Sequence, residues 1–392
     1  MLWLTWFACL PEEEPFTPDL AEHPVDYDVM PIDEGWAAPF EAGKAEFGQW
    51  HLERDGIGPC WIQLSCAGCH NEGGRGKFNV EKFVVLDADG LPEPEATPYG
   101  NTTRPNPAAG ARRGVEPPYG TDGLLVTIRE APPVYGRGYL EAIADVDILA
   151  LADAQAEAGR VSGRPNVVTW TSAPREDDGR GFHTYGPGDA VIGRFGHKAR
   201  VATLDDFAAD ASQNDMSLTS PLRPDELPNP DGRTDDRKRG VDVTLADIDG
   251  LADYSRLVRI PVREDVEGEA LFEEVGCADC HVATWRTRAD YPIAALADVD
   301  APIYSDLLLH DLGPAHDDGL REGSAMGSEW RTAPLIGLKK LPNYLHDGSA
   351  ETVEDAIRQH GGEGSEAGPA VDAWLALPAD DRDQLVRFVA SR

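Results

Sequence analysis

The sequence predicts a mainly α-helical protein with long irregular loops and a few short strands, and three observations point there. A chain of 392 residues exceeds one ordinary core, which favours two domains. One five-residue pattern occurs twice, as CAGCH at Cys66–His70 and as CADCH at Cys277–His281, one copy in each half. Helical hydrophobic periodicity leads into each copy, whereas 40 Gly and 31 Pro divide the rest into turns and loops.

Residues 1–30 read as a signal-like start followed by an acidic, proline-rich linker. The opening MLWLTWFAC has the form of a lipoprotein signal, with Cys9 as the lipidated residue and a candidate lipid anchor. Only eight residues precede Cys9 and none is Lys or Arg, so an apolar N-terminal tail is the competing reading. From Gly35 to Leu52, Trp36, Phe40, Phe47 and Trp50 fall largely on one helical face. Residues 87–122, rich in Pro, Gly, Asn and Thr, read as a surface loop. The stretch 134–155 returns to a helical pattern through Leu140, Ile143, Ile148 and Leu151. Between Gly159 and Gly196 the chain is turn-rich with short extended pieces such as NVVTW, and Ser220–Gly240 is a second polar insertion. An amphipathic helix is expected over Val266–His281, running directly into the second motif. Two more are expected over 351–360 and 378–392, the latter opened by Pro378, where proline is tolerated. The expected domains are therefore 31–245, with loop insertions, and 246–392.

The formal charge of −35 bears on partners. A nucleic-acid binder needs the opposite sign to neutralise phosphates, and an anionic membrane surface would repel such a chain. A small basic electron-transfer protein would be steered in; otherwise the acids are a solvated face. No run of 18 apolar residues exists, so no transmembrane helix is expected.

Of six cysteines, Cys66/Cys69 and Cys277/Cys280 form the pairs, each followed at once by histidine. Two thiols at this spacing can add to the two vinyl groups of one haem while the adjacent imidazole, His70 or His281, reaches the iron. Zinc fits less well, because neither pair has a second Cys/His pair at finger spacing. A redox dithiol has no need of the following histidine. The expected cofactors are two covalently bound haems of the c type. Calcium is a further option that no sequence feature indicates. Cys60 is left over as a small buried thiol.

Longer segments resemble the bacterial di-haem c-type oxidoreductases, often labelled thiol oxidoreductases, within the wider di-haem cytochrome c peroxidase and MauG group. SCAGCHNEGGRG, APPVYGRGYLEAI, GRFGHKA, NDMSLTSPL, GCADCH, YSDLLLHDLGPAHDDG, GSEWRTAPLIGL and YLHDGSAETVEDAIRQHGGEG carry the resemblance, in that order, from about Phe47 to the C-terminus. It does not extend to the first thirty residues. It implies two cytochrome-c-like domains with a haem in each, the C-terminal one passing electrons to a peroxide or substrate at the N-terminal one. Covalent haem of this family is attached outside the cytoplasmic membrane, which implies a periplasmic or outer-membrane-associated protein.

The resemblance also implies site residues. The distal ligand of the C-terminal haem lies fourteen residues beyond the histidine of His-Asp-Gly, which makes it His360, counted from His346. Histidine there, where relatives often carry Met or Tyr, lowers the potential relative to Met. His346 is read as a group beside the haem with Asp347 orienting it. Trp330 and Arg331 are read as packing on the C-terminal haem and pairing with a propionate, Arg75 as doing the same for the N-terminal haem, and His310 as a further supporting residue. Met216 is the candidate distal ligand of the N-terminal haem. His197 stands where the family usually has Trp, and His51 and His183 stay in contention. Glu130 and Glu141 are the carboxylates considered for acid/base work, with a structural salt bridge as the alternative for each. The competing functions are a non-catalytic electron carrier, a subunit of a larger redox assembly, and, without haem, a zinc-binding module.

Overall fold

The computed structural model describes residues 30–70, 79–173, 180–233 and 238–392. Cys9 and Arg75 lie outside the described residues. The helices are α1 (Glu34–Gly48), α2 (Cys66–Cys69), α3 (Arg137–Ala142), α4 (Asp145–Ala158), α5 (Leu204–Met216), α6 (Leu245–Leu257), α7 (Glu269–Glu274), α8 (Val353–Gln359), α9 (Gly368–Ala376) and α10 (Ala379–Ala390). Strands among the described residues pair only two at a time and always antiparallel. The fold is thus mainly helical with short strands.

Side-chain caps start several of these helices. Asp33 Oδ1 accepts the Gly35 N–H (3.0 Å) at α1, and Thr203 Oγ1 accepts the Asp206 N–H (3.2 Å) at α5. Thr244 and Asp247 form a reciprocal capping box at α6. Helices α1 and α6 cross in close contact. A Cβ on Gly43 would stand 1.8 Å from the Gly250 carbonyl oxygen, so only two glycines let the backbones touch. That approach sets Phe40 and Phe47 against Tyr254, with ring centroids 5.3 and 5.0 Å apart.

Two expected helices are shorter than the periodicity suggests. The stretch 134–155 breaks into α3 and α4 at Ile143 and Ala144, both extended. Buried Arg194 makes the break tolerable by donating to the freed carbonyls of Glu141 (2.9 Å) and Ile143 (3.0 Å). The helix expected over Val266–His281 is only α7. Gly276, at φ 92°, stops it, and the second motif begins in a 3-10 turn, Cys277–Asp279. The seven-residue strands Asn79–Val85 and Leu124–Glu130 pair across the 87–122 loop.

The largest core joins Phe40, Phe47, Leu140, Tyr254 and Leu257 to Trp285, Leu296, Leu308 and Ile336, on both sides of residue 246. Helix α6, beginning at the expected domain limit, packs its Leu251, Tyr254 and Leu257 into this core. A second core of Phe272, Tyr304, Leu338, Trp374, Leu385 and Phe388 fills the C-terminal end. Cys66 packs against the first and Cys277 against the second.

Candidate functional site

The first motif is the short helix α2. Ser65 caps it by accepting the Gly68 N–H (3.1 Å), and the His70 N–H donates to the Cys66 carbonyl (2.9 Å), ending the turn at the histidine. The His70 ring lies 6.0 Å from Phe47 of α1. These residues open on a cavity of about 830 Å³, its open mouth included, whose walls include Phe47, Cys66, Cys69, His70, Arg137, Phe207, Asp215 and Met216. The mostly apolar lining, with the motif cysteines and His70 in its wall, suits a cofactor. Met216, the last residue of α5, therefore shares one cavity with His70. The three histidines in contention beside it do not line the cavity. His51 pairs with Glu46 (3.0 Å), His183 stacks on Tyr185, and His197 Nε2 bonds the Glu130 carbonyl (2.7 Å).

At the second motif two imidazoles face each other. His281 and His360 have ring centroids 6.5 Å apart. His281 Nδ1 donates to the Tyr304 carbonyl (2.9 Å), and His360 Nδ1, at the end of α8, donates to the Ala356 carbonyl (2.6 Å). Each ring then keeps its Nε2 lone pair for a metal. Burial pushes His281 down to about 4 and also lowers His360, so both rings are neutral at pH 7. Two metal–imidazole bonds of about 2.0 Å plus two ring half-widths add up to about 6.3 Å, so the observed separation fits one haem iron between them. Thr352 caps the start of α8 by accepting the Asp355 N–H (3.0 Å), and His360 is the C-cap residue at its other end.

All four motif thiols are held protonated. Burial, reinforced by Glu46 and Asp215, pushes Cys66 up to about 12; burial and Cys280 push Cys277 up to about 12. Cys69 and Cys280 are raised by burial as well. A redox dithiol needs the opposite shift. Cys280, Asp306 and His310 bring three donor atoms within 4.8 Å of one another. Both His310 nitrogens, however, already face carboxylates, Asp306 at 2.8 Å and Glu366 at 2.6 Å. Covalently held haem thus suits the donors better than zinc does.

Trp330, on the strand Glu329–Arg331, is stacked on His346 at 3.6 Å and 18°. Its other surroundings are Arg129 and Lys198, each 4.3 Å from the ring centroid, with Asp318 pairing to both cations. Burial pushes His346 down to about 3, so a neutral imidazole stacks there. Arg331 is buried and donates to the Gly196 (3.1 Å) and Thr332 (2.8 Å) carbonyls; burial lowers it to about 10. Gly196 belongs to the wall of the first cavity, so Arg331 bonds to that wall.

The two considered carboxylates have different surroundings. Glu130 is buried, accepts from Asn343 Nδ2 (3.0 Å), and its backbone N–H donates to the His346 carbonyl (2.8 Å). Glu141 receives Arg256 Nε (2.6 Å), the Leu204 N–H (2.7 Å) and Tyr291 Oη (2.7 Å). Burial would raise its carboxyl, but Arg256 outweighs that and holds it below the ordinary range. Asp215 has no counterpart among the residues singled out from the sequence. It lines the first cavity, and burial with Asp210 pushes it up to about 7. Its adjacency to Met216 in NDMSLTS was the available signal.

No curated protein matches the chain. Among solved structures, a hydrazine synthase of Kuenenia stuttgartiensis is similar over 100% of this chain and 97% of its own, at 14% identity and a TM-score of 0.40. A MauG-like protein associated with microbial copper homeostasis is similar over 99% and 95%, at 16% identity and a TM-score of 0.43. The family model described as "Di-haem oxidoreductase, putative peroxidase" matches residues 118–392, from ahead of α3 through the second motif and His360 to the C-terminus. On that match the chain belongs to the di-haem oxidoreductase family.

Proposed function

We propose that the protein is an exported di-haem oxidoreductase of the c type, with peroxidase-like chemistry in its N-terminal half. Membership of the family implies haem. Cys66 and Cys69 would hold one haem and Cys277 and Cys280 the other, with His70 and His281 as proximal ligands and His360 opposite His281. Haem iron supplies electron uptake and release and, where an axial position is open, the reduction of a peroxide or oxidation of a substrate. The chain's own residues set which of these each site does. The Tyr304 and Ala356 carbonyls fix both C-terminal imidazoles as metal-binding tautomers, and an apolar core of Phe272, Tyr304 and Phe388 packs beside His281. At the N-terminal cavity Arg137 and Asp215 are the charged side chains of a lining that also holds Gln63, Ser65 and Ser255. Electrons received in the C-terminal half are used at that cavity.

One contrast supports this division of labour: two facing imidazoles at one site, and a single imidazole in the wall of an open, mostly apolar cavity at the other, among the described residues. A second reading has its own observation. Met216 lines the N-terminal cavity, and as a ligand it would make both sites six-coordinate and the protein an electron carrier. Export, a lipid anchor at Cys9 and recognition of a small basic electron-transfer protein belong to the same proposal, with a small-molecule oxidant as the other redox partner. They are supported by the signal-like opening and the charge of −35. No helix among the described residues is long and apolar enough to cross a membrane.

The test is a paramagnetic resonance and optical spectrum of the purified protein. One high-spin and one low-spin haem are expected, and His360→Ala should convert the low-spin signal to high-spin. Two low-spin haems, one of them lost on Met216→Leu, would establish the carrier instead. Absence of covalent haem on a stained gel would overturn both.

A further inference from the structure

Beyond the ligands, we propose that His310 is the positioning residue of the C-terminal site: through Asp306 on one side and Glu366 on the other, it fastens the segment behind His281 to the segment that carries His360. The proposal rests on the reading of His281 and His360 as axial ligands.

His310 lies on the strand Leu309–Asp311 and is 4% exposed. Its Nε2 stands 2.8 Å from Asp306 Oδ2 and its Nδ1 stands 2.6 Å from Glu366 Oε2, so neither nitrogen is spare. Burial alone would lower the ring's pKa, but bonds to Asp306, Cys280 and Glu366 outweigh it and hold the pKa up at about 12. The ring is therefore an imidazolium between two carboxylates.

Each carboxylate leads to one ligand. Residues 304–306 run alongside the second motif: the Asp306 N–H donates to the Cys280 carbonyl (2.9 Å) and the Ser305 N–H to the Val282 carbonyl (3.0 Å). Tyr304 offers the carbonyl that orients His281. On the other side Glu366 follows His360 closely. Ser365 Oγ donates to the His360 carbonyl (2.6 Å), and the Glu366 N–H donates to the Asp311 carbonyl (2.9 Å). Gly313, at φ 76°, is pressed so near this segment that a Cβ would meet the Glu363 carbonyl oxygen at 2.4 Å. The N-terminal half closes the cluster. Gln155 of α4 donates to Asp306 Oδ2 (2.9 Å) and to the Asp279 carbonyl (2.9 Å), and Ser162 donates to Glu366.

Removing the imidazolium leaves two carboxylates facing each other in a mostly buried space, where an uncompensated charge is destabilising. They relieve it by moving apart, which releases the segment that follows His360 from the strand that carries His310. The test uses the haem-loaded protein with the variants His310→Gln, Glu366→Gln and His360→Ala. Low- and high-spin fractions are read by paramagnetic resonance, and the N-terminal haem serves as the internal control for folding. The high-spin fraction of the C-terminal haem should rise at least about tenfold in His310→Gln. A smaller rise is expected in Glu366→Gln, where the variant keeps an acceptor oxygen. An N-terminal signal unchanged in the same samples shows that the effect is local. A C-terminal haem as fully low-spin as the parent in both variants, while His360→Ala converts it, would overturn the clamp and leave the ligand reading standing. A spectrum unchanged in His360→Ala would overturn both together.

Discussion

Arg256 is wholly buried and meets Glu141, Asp205 and Asp253, with bonds of 2.6 and 2.8 Å to the nearest oxygens. One guanidinium thus ties together carboxylates from α3, α5 and its own helix α6, with Arg180 pairing to Asp205 and Asp253 as well, while the face of Arg256 rests 3.6 Å above the Phe182 ring. Substituting Arg256→Met removes the only cation paired with the Glu141 carboxylate among the described residues and should destabilise the fold by about 3–5 kcal/mol, read as a lowered urea midpoint. This arrangement also explains why Glu141 looked eligible for chemistry: a carboxylate inside a helix of apolar residues has the same sequence signature whether it works or is paired. The axial candidates were easier to find. A Cys-x-x-Cys-His run encodes its chemistry within five residues, and His360 stands at a fixed offset from His346. His310 carries no such local mark, since one of its partners lies four residues away and the other fifty-six.

At the scale of elements, the crossing of α1 and α6 decides the shape of the first cavity. Helix α1 presents Phe47 to it and α6 presents Leu251 and Ser255. Gly43→Ala would set a methyl against the Gly250 carbonyl, and helices forced apart there should cost about 2–3 kcal/mol. The same change should perturb the optical spectrum of the N-terminal haem while leaving the C-terminal one as it was, a pairing of stability and spectral readouts that a purely remote effect would not give. Periodicity made α1 legible because its aromatic residues repeat on one face. It could not show the crossing, because a glycine inside a helix looks like a defect until its neighbour is known. It also overran the two breaks, at Ile143–Ala144 and at Gly276, since Arg194 and a left-handed glycine act from outside the hydrophobic pattern. The paired strands Asn79–Val85 and Leu124–Glu130 escaped notice because a long insertion separates two ordinary-looking segments.

For the whole molecule, charge sets the terms of encounter. With a formal charge of −35, the protein should attract a basic redox partner over several ångströms and lose that attraction as salt shortens the Debye length. Reduction by a small basic cytochrome should therefore slow by about tenfold or more between about 0.01 M and about 0.5 M ionic strength, followed by stopped-flow absorbance. A rate indifferent to salt would mean that encounter is not steered by this field.

The largest core has a consequence for how the chain is made. It needs Phe47 and Ala67 from near the first motif, and also Leu308 and Ile336 from far downstream. A chain emerging from its N-terminus cannot complete that core until most of its length is available, and contacts of such long separation form slowly. Cys66 packs at the edge of the same core. The support behind this cysteine is therefore complete only once the last third of the chain has folded back onto it.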